Sequence, residues 1–154
     1  MQVKNNANIL IIPDSYKGNL SSNRVAAILA ESFRWAFPQA NVAAYPMADG
    51  GESSSEIVGE MLGATRVEHE VCGPEGTAVT GFYYLEKNPQ TSNRRAFIEL
   101  AAASGFALSK NPQLTATRAT TYGTGELIKR AIEAGATEIF LFLGGSEEKV
   151  YSND

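Results

Sequence analysis

A chain of 154 residues that is 44% hydrophobic and 19% charged, against roughly 25% charged in an average protein, has the composition of one soluble globular domain, which excludes a disordered tail or a collagen-like repeat. Thirteen basic against seventeen acidic side chains give a net charge of −4 and no basic footprint for nucleic acid. The single cysteine, Cys72, excludes an intramolecular disulfide and a thiolate cage. The single histidine, His69, excludes a multi-histidine zinc site and argues against a triad.

These counts point to a reducing, cytoplasmic compartment. The apolar run Ile9–Ile12 is far short of the ~20 residues of a spanning helix, and it ends in Pro13-Asp14 without a cleavage site. The sequence therefore predicts neither a membrane nor a nucleic-acid partner.

The first 63 residues read as strand, helix, strand, helix. Ile9–Ile12 is a β-branched run suited to a strand covered on both faces. From an N-cap at Ser21 or Ser22, apolar residues recur at 25, 28, 29, 33, 36 and 37, and Pro38 marks the stop. Val42–Tyr45 predicts a second strand. A second helix carries Ile57, Val58, Met61 and Leu62 and ends at Gly63.

The middle of the chain alternates instead. Arg66–Val71 and Val79–Leu85 flank the turn signal Cys72-Gly73-Pro74-Glu75-Gly76 and predict an antiparallel ribbon, with Ala96–Leu100 as a further strand. Beyond Pro112 a helix carries Leu127, Ile128, Ala131 and Ile132, and Glu138–Leu143 reads as a buried strand. The expected fold is α/β: a Rossmann-like parallel sheet from residues 1–64 and 112–154, with 65–111 as a smaller, partly antiparallel second lobe or insertion.

Open α/β sheets bind ligands beyond the carboxyl ends of their strands. Four polar loops fall there, at 13–18, 48–54, 120–126 and 144–146. Their glycines allow backbone amides to approach an anion, and helix N-termini add partial positive charge. Asp14, Asp49 and Lys17 supply two acids and a cation, the parts that phosphoryl transfer needs.

Plainer readings exist for each. Asp14 can cap a turn, Gly50 and Gly51 can serve a positive φ, and His69 shares its strand face with Val67 and Val71 as a half-buried structural residue. Neither a dinucleotide fingerprint nor a P-loop is present. The residues alone define an anion-binding α/β domain.

Four ordered blocks go further. Pro13-Asp14-Ser15-Tyr16-Lys17-Gly18, Pro46-Met47-Ala48-Asp49-Gly50-Gly51-Glu52, Glu99–Phe106 and Thr120-Thr121-Tyr122-Gly123-Thr124-Gly125-Glu126-Leu127-Ile128 resemble the signature blocks of the bacterial type 1 glycerate kinases. The resemblance implies two α/β lobes and transfer of the γ-phosphate of ATP to D-glycerate, usually at the 2-hydroxyl, with Mg²⁺. It implies Lys17 and Asp49 as the catalytic pair, Asp49 also being the Mg²⁺ ligand. Asp14, Ser15, Gly50, Gly51, Glu52, Thr121, Gly123, Thr124 and Gly125 are the implied substrate or phosphate contacts.

Two departures stand out. Where the family has Gly-Thr after Ala-Asp-Gly-Gly-Glu, this chain has Ser53-Ser54. Family members are also more than twice as long, and residues 147–154 do not follow their pattern. The expectation is thus an apparently truncated kinase. Its uncovered core faces would self-associate or capture a missing C-terminal half. The alternatives are a nucleotide-binding or partner-dependent module without turnover, and a different small-molecule enzyme on the same scaffold.

Overall fold

In the computed structural model, which describes residues 7–16, 19–51, 53–87, 93–111 and 117–144, β1 (Asn8–Ile11) and β2 (Asn41–Ala44) pair in parallel, with Asn8 opposite Asn41 and Ile11 opposite Ala44. α1 (Ser22–Ala36) connects them. Its N-cap is Ser21, whose hydroxyl accepts the Arg24 amide at 3.3 Å. The helix closes with the Phe37 amide on Phe33 O, as expected of a residue preceding Pro38.

The helix face that is buried differs from the expected one. Ser22, Val25, Ala26 and Ala30 point inward, whereas Ile28 is 40% exposed. Small residues at i, i+1, i+5 from Val25 therefore set the packing face, and the larger aliphatics flank it. β1 likewise is not covered on both sides: Ile11 is buried but Leu10 is 62% exposed.

A second sheet has the order β3-β4-β5-β6, with β3 at Thr65–Cys72, β4 at Ala78–Lys87, β5 at Arg94–Glu99 and β6 at Glu138–Phe142. β3 and β4 form the expected ribbon, from Thr65 opposite Leu85 to Cys72 opposite Ala78. Gly73 N–H donates to Thr77 O at 2.7 Å inside the turn. β4 pairs antiparallel with β5, and β5 pairs in parallel with β6, Ala96 opposite Ile139. β3, β5 and β6 therefore run the same way.

Helices cover this sheet: α2 (Ser54–Leu62), the short α3 (Ala101–Ser104) and α4 (Tyr122–Glu133). Leu127 and Ala131 of α4 meet Val71, Tyr83, Ala96, Ile98 and Ala103 in the main core. Burying a side chain such as Leu127 contributes about 2 kcal/mol. His69 is half-buried and stacks on Tyr83 with centroids 5.8 Å apart, as the structural reading expects. α2 packs against β4 so closely that a Cβ on Gly59 would lie 2.4 Å from the Tyr84 ring.

The chain divides into two compact units, Met1–Asp49 and Gly50–Asp154. This departs from the grouping of 1–64 with 112–154. The parallel ladder between β5 and β6, and the packing of α2 on β4 and β5, draw those segments into the unit that holds the ribbon. β6 is an edge strand of this sheet among the described residues, and Phe140 (45%) with the following Leu143 (65%) is exposed where a buried strand was expected. Among the described residues no helix is long and apolar enough to cross a membrane.

Candidate functional site

In the first unit, the loops after β1 and β2 lie side by side. Tyr45 N–H donates to Ile11 O at 2.9 Å, and Met47 N–H donates to Pro13 O at 3.0 Å. Parallel pairing thus brings the Asp14 and Asp49 segments to one sheet end. Asp14 is exposed, and its Oδ1 accepts the Ser15 amide at 2.6 Å; Ser15 itself is half-buried. Asp49 is also exposed. Lys17 and Glu52 lie outside the described residues.

In the second unit, β3, β5 and β6 end together at Cys72, Glu99 and Phe142, and the starts of α2 and α4 gather at that end. Leu100 N–H donates to Phe142 O at 2.9 Å, extending the β5–β6 ladder. Gly144 N–H donates to Gly50 O at 2.8 Å. A Cβ on Gly144 would stand 2.5 Å from Gly51 Cα, so this contact requires a glycine. Gly50 and Gly51, far from Gly144 in sequence, therefore meet it in space.

Gly50 adopts φ +94°, the positive φ that the sequence offered as its plain role, and Gly51 is buried. Ser53, the N-cap of α2, has φ 68° and makes no side-chain capping bond. A non-glycine residue at this left-handed position costs of order 1 kcal/mol. The cap comes from elsewhere. Glu99, only 4% exposed, accepts both the Ser55 amide (3.3 Å) and the Ser55 hydroxyl (3.2 Å) on Oε2. Ser54 Oγ is buried with no hydrogen-bond partner among the described residues.

α4 begins differently. Thr121 is its N-cap without a side-chain bond, and Thr121 O accepts the amides of Thr124 (3.1 Å) and Gly125 (3.3 Å). Thr120 Oγ1 accepts the Tyr122 amide at 3.1 Å. Gly123 is pressed onto the end of β3: a Cβ there would lie 1.9 Å from Cys72 O. Glu126 Oε2 accepts the Cys72 amide at 2.7 Å, tying the same two elements. Thr124, 5% exposed, places Oγ1 2.7 Å from Ser104 Oγ.

The structure thus brings Gly50 and Gly51 to Gly144, and Thr121, Gly123, Thr124 and Gly125 to the ends of β3 and α3. The Gly125 amide is committed to the first turn of α4, and Gly123 serves close packing. Sequence reasoning placed Glu99, Ser104 and Glu126 in signature blocks without giving them a role, and it passed over Ser55. An acid closing the apolar run Ala96-Phe97-Ile98 was the available signal for Glu99.

The perturbed carboxylates lie elsewhere. Glu86 is held below the ordinary carboxylate range by the Arg95 guanidinium, which donates from Nε at 2.5 Å and Nη2 at 2.8 Å. Glu75 is lowered first by the Ser109 hydroxyl and then by the Asn111 amide. Burial pushes the Tyr83 phenol up.

Both units display polar loops beyond the carboxyl ends of parallel strands, the ligand-binding end of open α/β proteins. The profile of the glycerate kinase family matches residues 9–149, and the chain belongs to that family. It is 42% identical to the glycerate 2-kinase of Escherichia coli K12 and 40% identical to the glycerate kinase of Haemophilus influenzae, over 90% and 89% of its length. It spans 35% of each of those relatives. Among solved structures, a Salmonella typhimurium LT2 protein described as a glycerate kinase 2 superposes with a TM-score of 0.72 at 41% identity, over 91% of this chain and 37% of the other.

Proposed function

We propose that this chain carries part of an ATP-dependent glycerate kinase site, which transfers the γ-phosphate of ATP to a hydroxyl of D-glycerate, the 2-hydroxyl by preference, in the cytoplasm. The observation that supports this most is the family match over residues 9–149, a span that includes all four signature blocks.

Phosphoryl transfer asks the protein for alignment and charge neutralisation more than for covalent chemistry. Lys17 steadies a phosphate oxygen or the glycerate carboxylate in this reading. Asp49 either accepts the hydroxyl proton or binds Mg²⁺, and Asp14 is the second carboxylate of its sheet end. The Gly50–Gly51 loop and the exposed Thr121 would face anionic oxygens, while Thr124, its hydroxyl paired with Ser104, holds the start of α4, with Ser15, Glu52, Gly123 and Gly125 shaping the loops.

Mg²⁺ is commonly held by one or two carboxylates completed by substrate phosphates and water. Exposed Asp49 and Asp14 fit that demand, and among the described residues no three His, Cys, Asp or Glu side chains converge as a metal cage. When bound with ATP, the ion supplies charge neutralisation at the transferring group. Asp49 is the side chain that would hold it.

A second reading is a partner-dependent module. It is favoured by the exposed Phe140, Leu141 and Leu143 around β6. Self-association through that apolar edge belongs to the same reading. Mass spectrometry of phosphoglycerate formed from D-glycerate and Mg-ATP separates the two. The chain is assayed alone and mixed with the remaining segment of a related glycerate kinase. Turnover alone supports an autonomous site, and turnover only in the mixture supports partner dependence. Mg-ATP binding with no product in either state supports a module without turnover.

A further inference from the structure

The start of α2 offers amides to an anion, yet its own residues leave it without a conventional cap. Ser53 is left-handed and caps nothing with its side chain. Glu99 arrives from the end of β5, 44 positions away in sequence, and takes the Ser55 amide and hydroxyl on one oxygen. The Ser54 amide is already on Gly51 O at 3.2 Å, and the Ile57 amide on Ser53 O at 3.0 Å. Three of the first four amides of the helix are therefore satisfied internally.

A carboxylate at this position also meets the positive end of the helix dipole. It occupies the space and the charge that a phosphate would otherwise take. The same contact anchors the turn that carries Gly50 and Gly51, because Gly51 O is bonded to the first helical residue and Gly50 O to Gly144.

We infer that Glu99 is a positioning residue: it fills the N-terminus of α2 as a built-in anion, holds the Gly50–Gly51 turn in register with Gly144, and denies that terminus to phosphate. This extends the kinase reading by specifying that substrate phosphate does not sit on α2's terminal amides. The exclusion itself does not depend on turnover, so it can fail or stand separately from that reading.

The test is amide-resolved NMR of the 154-residue chain titrated with inorganic phosphate, comparing wild type with Glu99→Gln, Glu99→Ala and Ser55→Ala. In wild type the Ser55 and Glu56 amides stay unmoved by phosphate. In Glu99→Ala, Ser55 exchanges with solvent roughly 10-fold faster, the order expected for a lost cap, and its amide shifts on adding phosphate. Glu99→Gln retains an acceptor oxygen and keeps Ser55 protected, but with the charge removed the Glu56 amide shifts on adding phosphate. Ser55→Ala preserves the carboxylate and keeps phosphate out. Exchange in the β3–β4 ribbon reports whether each variant is folded; if Glu99→Ala is not, the phosphate response of Glu56 in Glu99→Gln carries the test, and its absence overturns the inference. A wild-type Ser55 amide that shifts with phosphate, or a folded Glu99→Ala chain with undiminished Ser55 protection and no phosphate response, overturns the inference.

Discussion

α2 and α4 both follow glycine-bearing loops at the carboxyl end of one sheet, and in sequence both resemble cradles for phosphate. The structure closes them by different means. α2 is capped across the sheet by Glu99, while α4 is capped by its own neighbours, Thr120 and Thr121, and pressed onto Cys72 through Gly123. A glycine near a helix start can thus serve φ, as Gly50 does, or backbone approach, as Gly123 does. The lesson is that a helix terminus becomes an anion site only through amides the fold leaves unused.

The sharpest way to break that comparison is a pair of alanines two residues apart. Gly123→Ala drives a Cβ into the backbone carbonyl of Cys72 and should cost about 3 kcal/mol or more. Urea unfolding of the second unit measures it, and an unchanged midpoint would refute the packing role. Ser53→Gly removes a left-handed non-glycine residue and should stabilise by about 1 kcal/mol. Thermal unfolding checks it. Gly125→Ala meets nothing within 4 Å in a helical segment and should be neutral or stabilising by about 0.5–1 kcal/mol. Opposite signs for Gly123→Ala and Gly125→Ala would separate packing from helix propensity at one terminus.

The smallest effect concerns pH. Arg95 holds the Glu86 carboxyl below its ordinary 4.5, so the folded state binds that proton less readily than the unfolded chain. This stability is fully present above the unfolded value and is lost as pH falls through the lowered folded value. Glu86→Gln should flatten the acid limb of a stability–pH curve below about pH 4.5 and leave its neutral slope unchanged.

Local signals carried most of the elements. Ser21 and Pro38 delimited α1, and the Gly/Pro cluster at 73–76 separated β3 from β4. Period-two alternation marked β3, whose Val67, His69 and Val71 share one face. What stayed hidden was non-local. The pairing of β6 with β5 is decided by which edge accepts the strand, and nothing within Glu138–Phe142 encodes that choice. The four-residue α3 is too short for periodicity to reveal.

The site was legible in the same uneven way. Its loops could be found from glycine, acid and strand-end position, and Asp14 and Asp49 do come to one end of β1–β2. The Gly50–Gly144 contact, the Ser104–Thr124 hydroxyl pair and the Glu99 cap each join segments that no short window contains. Glu99 in particular looks like an ordinary acid at a strand end until its burial is seen.

The central claim, a phosphoryl-transfer site for glycerate, is tested most directly by product formation. Purified chain, alone and mixed with the remaining segment of a related glycerate kinase, is given D-glycerate and Mg-ATP, and phosphoglycerate is read by mass spectrometry against Lys17→Ala and Asp49→Asn controls. The account predicts product in at least one of the two states, reduced by about 100-fold or more in both variants, as removal of a group acting on the transferring phosphate demands. Absence of product from both states, or product indifferent to both substitutions, would contradict it.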